Sequence, residues 1–274
     1  MAGGSSRTLL VTLLGAFARR TDDWMPISGI VGLLGALDVD ESSVRTGVSR
    51  LKKRGWLEAE RREGSNGYRL TDEAKRTLAS GDRVIWHARQ PAPLDEGWCI
   101  ASFSVPEKER AKRHLLRSRL AALGFGNVGS GVWLAPARMS TEARQLIDSL
   151  ELRDYTNIFC GRHEGGQDLI RMVHESWDLD EIDGGYRGFL AAHQDDVDRL
   201  IARHGAAGIP PRDAFVHYMR ALDDWRVLPM RDPGLPRELL RSDWAGDPAV
   251  RLIERVVAEL GAPAFAFVRE TVEA

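Results

Sequence analysis

The sequence predicts an α+β chain of 274 residues, and three observations carry that prediction. Helical stripes of apolar residues before Gly55 give way to a strand, a glycine-rich turn and a second strand. Between Gly97 and Gly161, strand-like runs alternate with two helical ones. After about Leu179 the pattern is helical almost throughout. Apolar spacing separates the element types, because side chains recur on one face every ~3.6 residues in a helix and every ~2 in a strand.

The length exceeds that of one ordinary domain, so two or three are expected, each large enough to bury a core. With 43% hydrophobic and 28% charged residues the composition is globular. A formal net charge of −2 excludes a surface that is basic throughout and leaves room for a local basic patch. Cys99 and Cys160 lie far apart with no metal or redox spacing, which fits a reducing compartment and thiols buried as small apolar groups. No apolar run is long enough to span a bilayer, so no membrane partner is expected. Arg7, "LLVTLLGAFA", Ala16 and Ala18 imitate a secretory signal. Leu10, Leu13, Leu14 and Phe17 nevertheless follow helical spacing, and a buried first helix accounts for them without cleavage. A cytoplasmic location is expected.

The first domain is placed at 1–88. After the first helix, Ile27, Ile30, Val31 and Leu34 form a second helical stripe, with Pro26 near its start, where a missing N–H costs little. Asp40 can cap a third helix whose Val44, Val48 and Leu51 share one face and which stops at Gly55. The opposite face collects Ser42, Arg45, Thr46, Ser49, Arg50 and Lys53. "WLEAERR", the turn "EGSNG" and "YRLT" then read as a hairpin. Three helices and a hairpin make a winged helix-turn-helix.

In that arrangement the third helix enters the major groove, where Arg reads guanine edges and Ser or Thr bonds to bases or phosphates. The wing lies along the backbone, with Arg61 and Arg62 near phosphates, as Lys52 and Lys53 are at the helix end. A plain solvated helix face is the alternative, but such faces usually mix signs for internal pairing. Here no acid occurs between Glu41 and Glu58, while seven Arg and Lys fall between Arg45 and Arg62. Double-stranded DNA is therefore the expected partner.

"HARQPAPLDEG" reads as a proline-bearing linker from His87 to Gly97, and a second domain is placed at 97–178. "WCIASFSV", "GVWLAP" and "TNIFCG" are strands, "EKERAKRHLLRSRLAALG" and "TEARQLIDSL" are helices, and "FGNVG" completes or borders the sheet. This order predicts a ferredoxin-like α/β sandwich. Gly124, Gly126 and Gly129 spell G-x-G-x-x-G, yet a helix precedes them and a strand follows, the reverse of a dinucleotide site. A mostly helical third domain is placed at 179–274, with "YRGFLAAHQDDVDRLIARHG", "AFVHYMRALDDWRVL" and a long final helix after a proline-punctuated loop.

An enzyme is the main rival reading, because fold alone does not decide function. His163, Asp168, His174 and Asp178 match no strong metal pattern, and no G-x-S-x-G, P-loop or H-E-x-x-H occurs. A metal-dependent nuclease using the ferredoxin-like domain would want a metal-binding acid just past the first strand, where Glu107 stands; an early-helix acid favoured by the helix dipole, with Pro106 setting the turn, is the simpler account. The expectation is a non-enzyme with no cofactor and no metal. A DNA-independent scaffold, the third class, leaves the acid-free face without a role.

The chain resembles the PaaX family of bacterial transcriptional regulators. "VRTGVSRLKKRGWLE" and "YRLT" resemble its N-terminal winged helix, and "FSVPEKER", "LGFGNVGSGVWLAP" and "ESWDL" its central domain, itself similar to a small nuclease subunit of CRISPR adaptation. "DPGLPRELLRSDWAGDPA" resembles its C-terminal signature. The resemblance implies a dimeric DNA-binding repressor released by a small effector such as an acyl- or aryl-CoA, and because one recognition helix reads only a few base pairs a homodimer on a palindromic operator is expected. It departs at the wing tip, where relatives often carry a basic residue and Gly64 is followed by Ser65, Asn66 and Gly67. An acyl-CoA pocket needs cations and an apolar slot. Arg110, Arg113 and Arg117, near Lys112 and Arg119, offer the cations; Trp133, Trp98, Trp225 and Trp244 offer aromatic walls. A solvated basic helix and core tryptophans are the alternative. Leu252, Ile253, Val256 and Val257 are expected either as dimer contacts or as intrachain packing.

Overall fold

The computed structural model describes residues 6–86, 90–205 and 208–273. The first three residues of the expected linker, 87–89, and the side chain of Arg7 lie outside the described residues. Packing divides the chain into two compact units: Met1–Arg83 with Tyr186–Arg226 and Gly246–Ala274, and Val84–Gly185 with Val227–Ala245. The class is α+β, as the sequence predicts. This division breaks the chain close to residues 88 and 179, but it groups most of the last segment with the first and 227–245 with the middle one.

The first unit opens with α1 (Ser6–Ala16), whose Leu9, Leu10, Leu13 and Leu14 are buried, together with Phe17 beyond it. A short strand β1 (Trp24–Pro26) precedes α2 (Ile27–Gly35), α3 (Glu41–Lys53), β2 (Leu57–Arg62), β3 (Ser65–Leu70) and α4 (Asp72–Trp86). The three strands form an antiparallel sheet in the order β1-β3-β2. Three residues are too few to show alternation, so β1 exists by virtue of pairing with β3. Gly55 (φ 74°) supplies the left-handed residue that ends α3 and turns the chain into β2.

Gly67 shows how closely β1 meets β3. A Cβ there would stand 2.5 Å from both the Met25 carbonyl oxygen and the Trp24 ring. Gly67→Ala is therefore expected to part the two strands and to destabilise by about 1–3 kcal/mol, the usual cost of overpacking. A thermal melt of the variant matching that of the parent would refute the close approach.

The same unit is completed by α8 (Leu179–His204) from Tyr186 onward, α9 (Pro211–Trp225) and α10 (Gly246–Glu273). Pro211 occupies the first turn of α9, where its missing N–H is harmless. Phe17 joins these helices to the first ones. Its ring lies 5.9 Å from Phe215, 5.6 Å from Tyr218 and 6.3 Å from Phe265, and the Arg20 guanidinium sits 3.7 Å over the Phe265 ring. Aromatic burial on this scale is why α9 and α10 group with the N-terminal helices. It also resolves the two readings of α10: Leu252, Ile253 and Val256 are buried within the chain, and of the four only Val257 is exposed.

The second unit holds β4 (Trp98–Phe103), α5 (Arg110–Ala122), β5 (Gly126–Gly129), β6 (Val132–Pro136), α6 (Ser140–Ser149), β7 (Thr156–Gly161) and α7 (Leu169–Ser176). Its antiparallel sheet runs β5-β6-β4-β7. A β-α-β-β-α-β chain paired in that order is ferredoxin-like. Leu116, Leu120, Ala143 and Ile147 pack on Cys99, Ala101, Trp133 and Ala135 as the core. The glycine cluster forms a helix-to-strand turn and the edge strand β5, with Gly124 at φ 90°. One expectation fails: Cys99 is buried, but Cys160 is exposed, and the two stand directly opposite each other in the β4–β7 pairing.

Candidate nucleic-acid interface

α3 is positioned from both ends. Asp40 accepts the Ser43 N–H at 2.9 Å and the Ser42 hydroxyl at 2.7 Å. Hydrogen bonding from the hydroxyls of Ser43 and Ser42, and from the Ser43 N–H, lowers the Asp40 carboxyl to about 2. Val44, Val48 and Leu51 are buried, and Gly47 lets Leu10 of α1 approach: a Cβ at 47 would meet the Leu10 methyl at 3.1 Å. At about 100° per residue, Ser42, Thr46, Ser49 and Lys53 stand opposite the buried stripe, with Arg45 and Arg50 flanking them. All six are exposed. Lys52, exposed as well, projects beside the buried stripe.

The face is less free of acid than its composition implies. Glu41, at the first position of α3, accepts from Arg45 Nε at 2.7 Å. The two are helical neighbours at i,i+4, and the acid stands one residue before the acid-free run that begins at Ser42. Ser42 is likewise engaged as a donor to Asp40, so its hydroxyl presents lone pairs outward. Arg54, one residue past the helix and off its periodic face, is exposed and lines a groove of about 410 Å3 with Ser42, Ser43, Thr46, Gly47, Arg50 and Leu51.

On the hairpin the two arginines differ. Arg61 is exposed, donates to the Gly64 carbonyl at 3.1 Å, and shares a groove lining with Arg45, Asn66 and Tyr68. Arg62 points to the other face, bonded to Glu60 at 2.5 Å and lying 5.4 Å over the Trp24 ring. Arg69 bridges Glu58 at 2.6 Å and Glu60 at 3.1 Å, and hydrogen bonding from Arg62 lowers the Glu60 carboxyl. One hairpin face is thus internally neutralised, while the other carries Arg61 toward Arg45.

In the second unit the expected effector arginines share one face of α5, while the expected tryptophan lies in the core. Arg113 bonds to Glu107 at 2.9 Å, Arg110 approaches the same carboxylate at 3.8 Å, and Arg117 is exposed on α5. Trp133 is 7% exposed and belongs to the sheet–helix core, so it does not wall a slot beside those arginines. Its indole N–H has no hydrogen-bond partner among the described residues. Trp98, Trp225 and Trp244 are also buried. Asp168 caps α7 and Asp178 caps α8, each accepting a backbone N–H at 2.9 Å. Among the described residues no group of three His, Cys, Asp or Glu is placed to hold a metal ion.

Helix α9 braces the elements beneath α3. Arg220 reaches Asp38, in the turn between α2 and α3, at 3.0 Å. Asp223, nearly buried, accepts from the hydroxyls of Thr12 at 2.6 Å and Thr8 at 3.0 Å on α1, and from Arg226 at 3.1 Å. α1 in turn contacts α3 at Gly47. A movement of α9 would therefore reach α3 by two routes.

Three family models match successive parts of the chain: "PaaX-like protein" over residues 5–74, "PaaX protein central Cas2-like domain" over 91–173, and "PaaX-like protein C-terminal domain" over 177–270. The transcriptional repressor PaaX of Escherichia coli (strain K12) is 27% identical over 271 residues, which is 97% of this chain and 84% of that protein. Among solved structures, the uncharacterized protein Rv0674 from Mycobacterium tuberculosis matches with a TM-score of 0.63 at 21% identity, over 97% of this chain and 99% of that one. That likeness shows a shared fold.

Proposed function

Because the chain belongs to the PaaX family of regulators, we propose that it is a DNA-binding transcriptional repressor whose N-terminal helices and hairpin act as a winged helix-turn-helix. One observation carries this reading: α3 presents Arg45, Thr46, Ser49, Arg50 and Lys53 on one exposed face, with no acid from Ser42 to Leu57. That surface suits a major groove, where Arg reads guanine and the hydroxyls reach bases or phosphates. Arg61 extends the cationic surface along the hairpin, whereas Arg62 is already satisfied by Glu60.

A gel shift with the DNA upstream of the protein's own gene, with and without magnesium, tests the reading. Retarded intact DNA supports it, cut DNA supports the nuclease alternative, and free DNA refutes both. Glu107 gives the nuclease little support, since Arg110 and Arg113 occupy its carboxylate. Phosphate contacts by Lys52, Lys53 and Arg61 should appear in the salt dependence: each alanine variant is expected to flatten the slope of log affinity against log salt by about 1. Arg62→Ala is expected to change it by less. Equal slopes for Arg61→Ala and the parent would remove the hairpin from the interface.

One recognition helix reads only a few base pairs, so the proposed operator is palindromic and the proposed binding species a homodimer. A monomer by light scattering at micromolar concentration, both free and on DNA, would refute this. The proposed effector is a small anion of the acyl- or aryl-CoA class, which must favour the DNA-free conformation to act at all. The braces from α9 to Asp38 and α1 supply a mechanical route. Titration calorimetry with CoA thioesters, free CoA and the free acids, each repeated on the DNA complex, tests the effector. Binding that leaves the complex intact would refute release.

A further inference from the structure

The two cysteines, distant in sequence, meet in the sheet of the second unit. The antiparallel pairing of β4 with β7 places Cys99 directly across from Cys160. Directly opposed residues send their side chains to the same face, with Cα atoms about 4.5–5.5 Å apart. A disulfide spans Cα separations of about 4.4–6.8 Å, so directly opposed positions fall within the range it bridges. The two thiols also differ in access. Cys99 is fully buried in the core cluster that holds Ala101 and Ala143, whereas Cys160 lies exposed on the outer edge strand. Burial, reinforced by the neighbouring Cys160 thiol, pushes the Cys99 thiol up to about 12.

We infer that Cys99 and Cys160 form a reversible intrachain disulfide, with Cys160 meeting the oxidant and Cys99 resolving the intermediate. With a low-molecular-weight disulfide RSSR as oxidant, the Cys160 thiolate attacks one sulfur, the S–S bond of RSSR breaks, and RS− leaves to take up a proton. The Cys99 sulfur then attacks Sγ of Cys160, displacing the second RS− as the Cys99 proton passes to it. Two thiols and RSSR thereby give one protein disulfide and two RSH, the cysteines supplying both electrons. The second step is the slower one, because a buried thiol is rarely a thiolate. Proximity offsets part of that handicap.

The full chain incubated with oxidised glutathione, quenched in acid and analysed by intact mass and peptide mapping tests the inference. The expected product is lighter than the reduced chain by a pair of hydrogens, contains a Cys99–Cys160 linked peptide, and reverts with dithiothreitol. Cys99→Ala should stop at a glutathione adduct on Cys160. Cys160→Ser should leave Cys99 unmodified. A parent protein that stops at the glutathione adduct, links to a second copy through Cys160, or does not react would overturn it.

Discussion

Replacing Arg45 and Arg50 together by alanine is expected to lower operator affinity by about 3 kcal/mol, roughly 150-fold, since each arginine bidentate to a guanine edge contributes about 1–3 kcal/mol. The two flank the exposed centre of α3, so in the proposed docking they would approach the groove from opposite sides. Arg45 must first leave Glu41, which costs little: an exposed i,i+4 pair on a helix contributes only ~0.3–0.5 kcal/mol. Glu41→Gln should accordingly raise affinity for all duplexes, by removing an acid beside the proposed DNA surface and freeing Arg45. Fluorescence anisotropy with operator and scrambled duplexes separates the effects. The double variant should lose discrimination between the two, whereas Glu41→Gln should shift both alike. Unchanged operator affinity in the double variant would place the DNA elsewhere.

What made α3 legible is that its determinants are local. The Asp40 cap, the spacing of Val44, Val48 and Leu51, and the Gly55 terminator all lie within one short stretch. The hairpin was legible for the same reason, its turn being written in glycines. β1 was not, because Trp24, Met25 and Pro26 become a strand only through their register with Arg69, Tyr68 and Gly67. The same limit hid the facing of Cys99 and Cys160, which depends on how far β7 slides along β4 before pairing.

The site shows a different limit. Periodicity tells which α3 residues face outward but not what they bond to, so the engagement of Arg45 by Glu41 and of Ser42 by Asp40 came only with side-chain placement. Arg61 and Arg62 are neighbours in sequence and point to opposite sheet faces, one beside Arg45 and the other against Trp24. Trp133 illustrates the hardest case. A tryptophan in an apolar strand serves a core or a pocket wall equally well until its neighbours are known, and here it stands opposite Ala101 in one buried cluster with Leu116 and Leu120. The grouping of α9 and α10 with the first helices is of this kind: the apolar faces were visible, but not which faces would meet.

That grouping underlies the largest expected loss of stability, from Asp223→Ala. The Asp223 side chain is 6% exposed and accepts from Thr12, Thr8 and Arg226, so its removal leaves two hydroxyls and a guanidinium without that acceptor. Hydrogen bonds to a charged group contribute about 1.5–3 kcal/mol, and an unpartnered buried donor costs more than a bond never made. A total of about 3 kcal/mol is expected, lowering Tm by roughly 6–12 °C for a unit of this size. Asp223→Asn, which keeps an acceptor, should lose less. Thr12→Val combined with Asp223→Ala should be less damaging than the sum of the two, because each alone already breaks the Thr12 bond. Additive losses, or a parental Tm for Asp223→Ala, would mean the network does not hold α9 to α1. If it does, Asp223→Ala should also weaken operator binding well below its own Tm, since α1 supports α3 where Leu10 meets Gly47. The sensitivity of DNA affinity to a buried acid on α9 would then measure how strongly the C-terminal helices can act on α3.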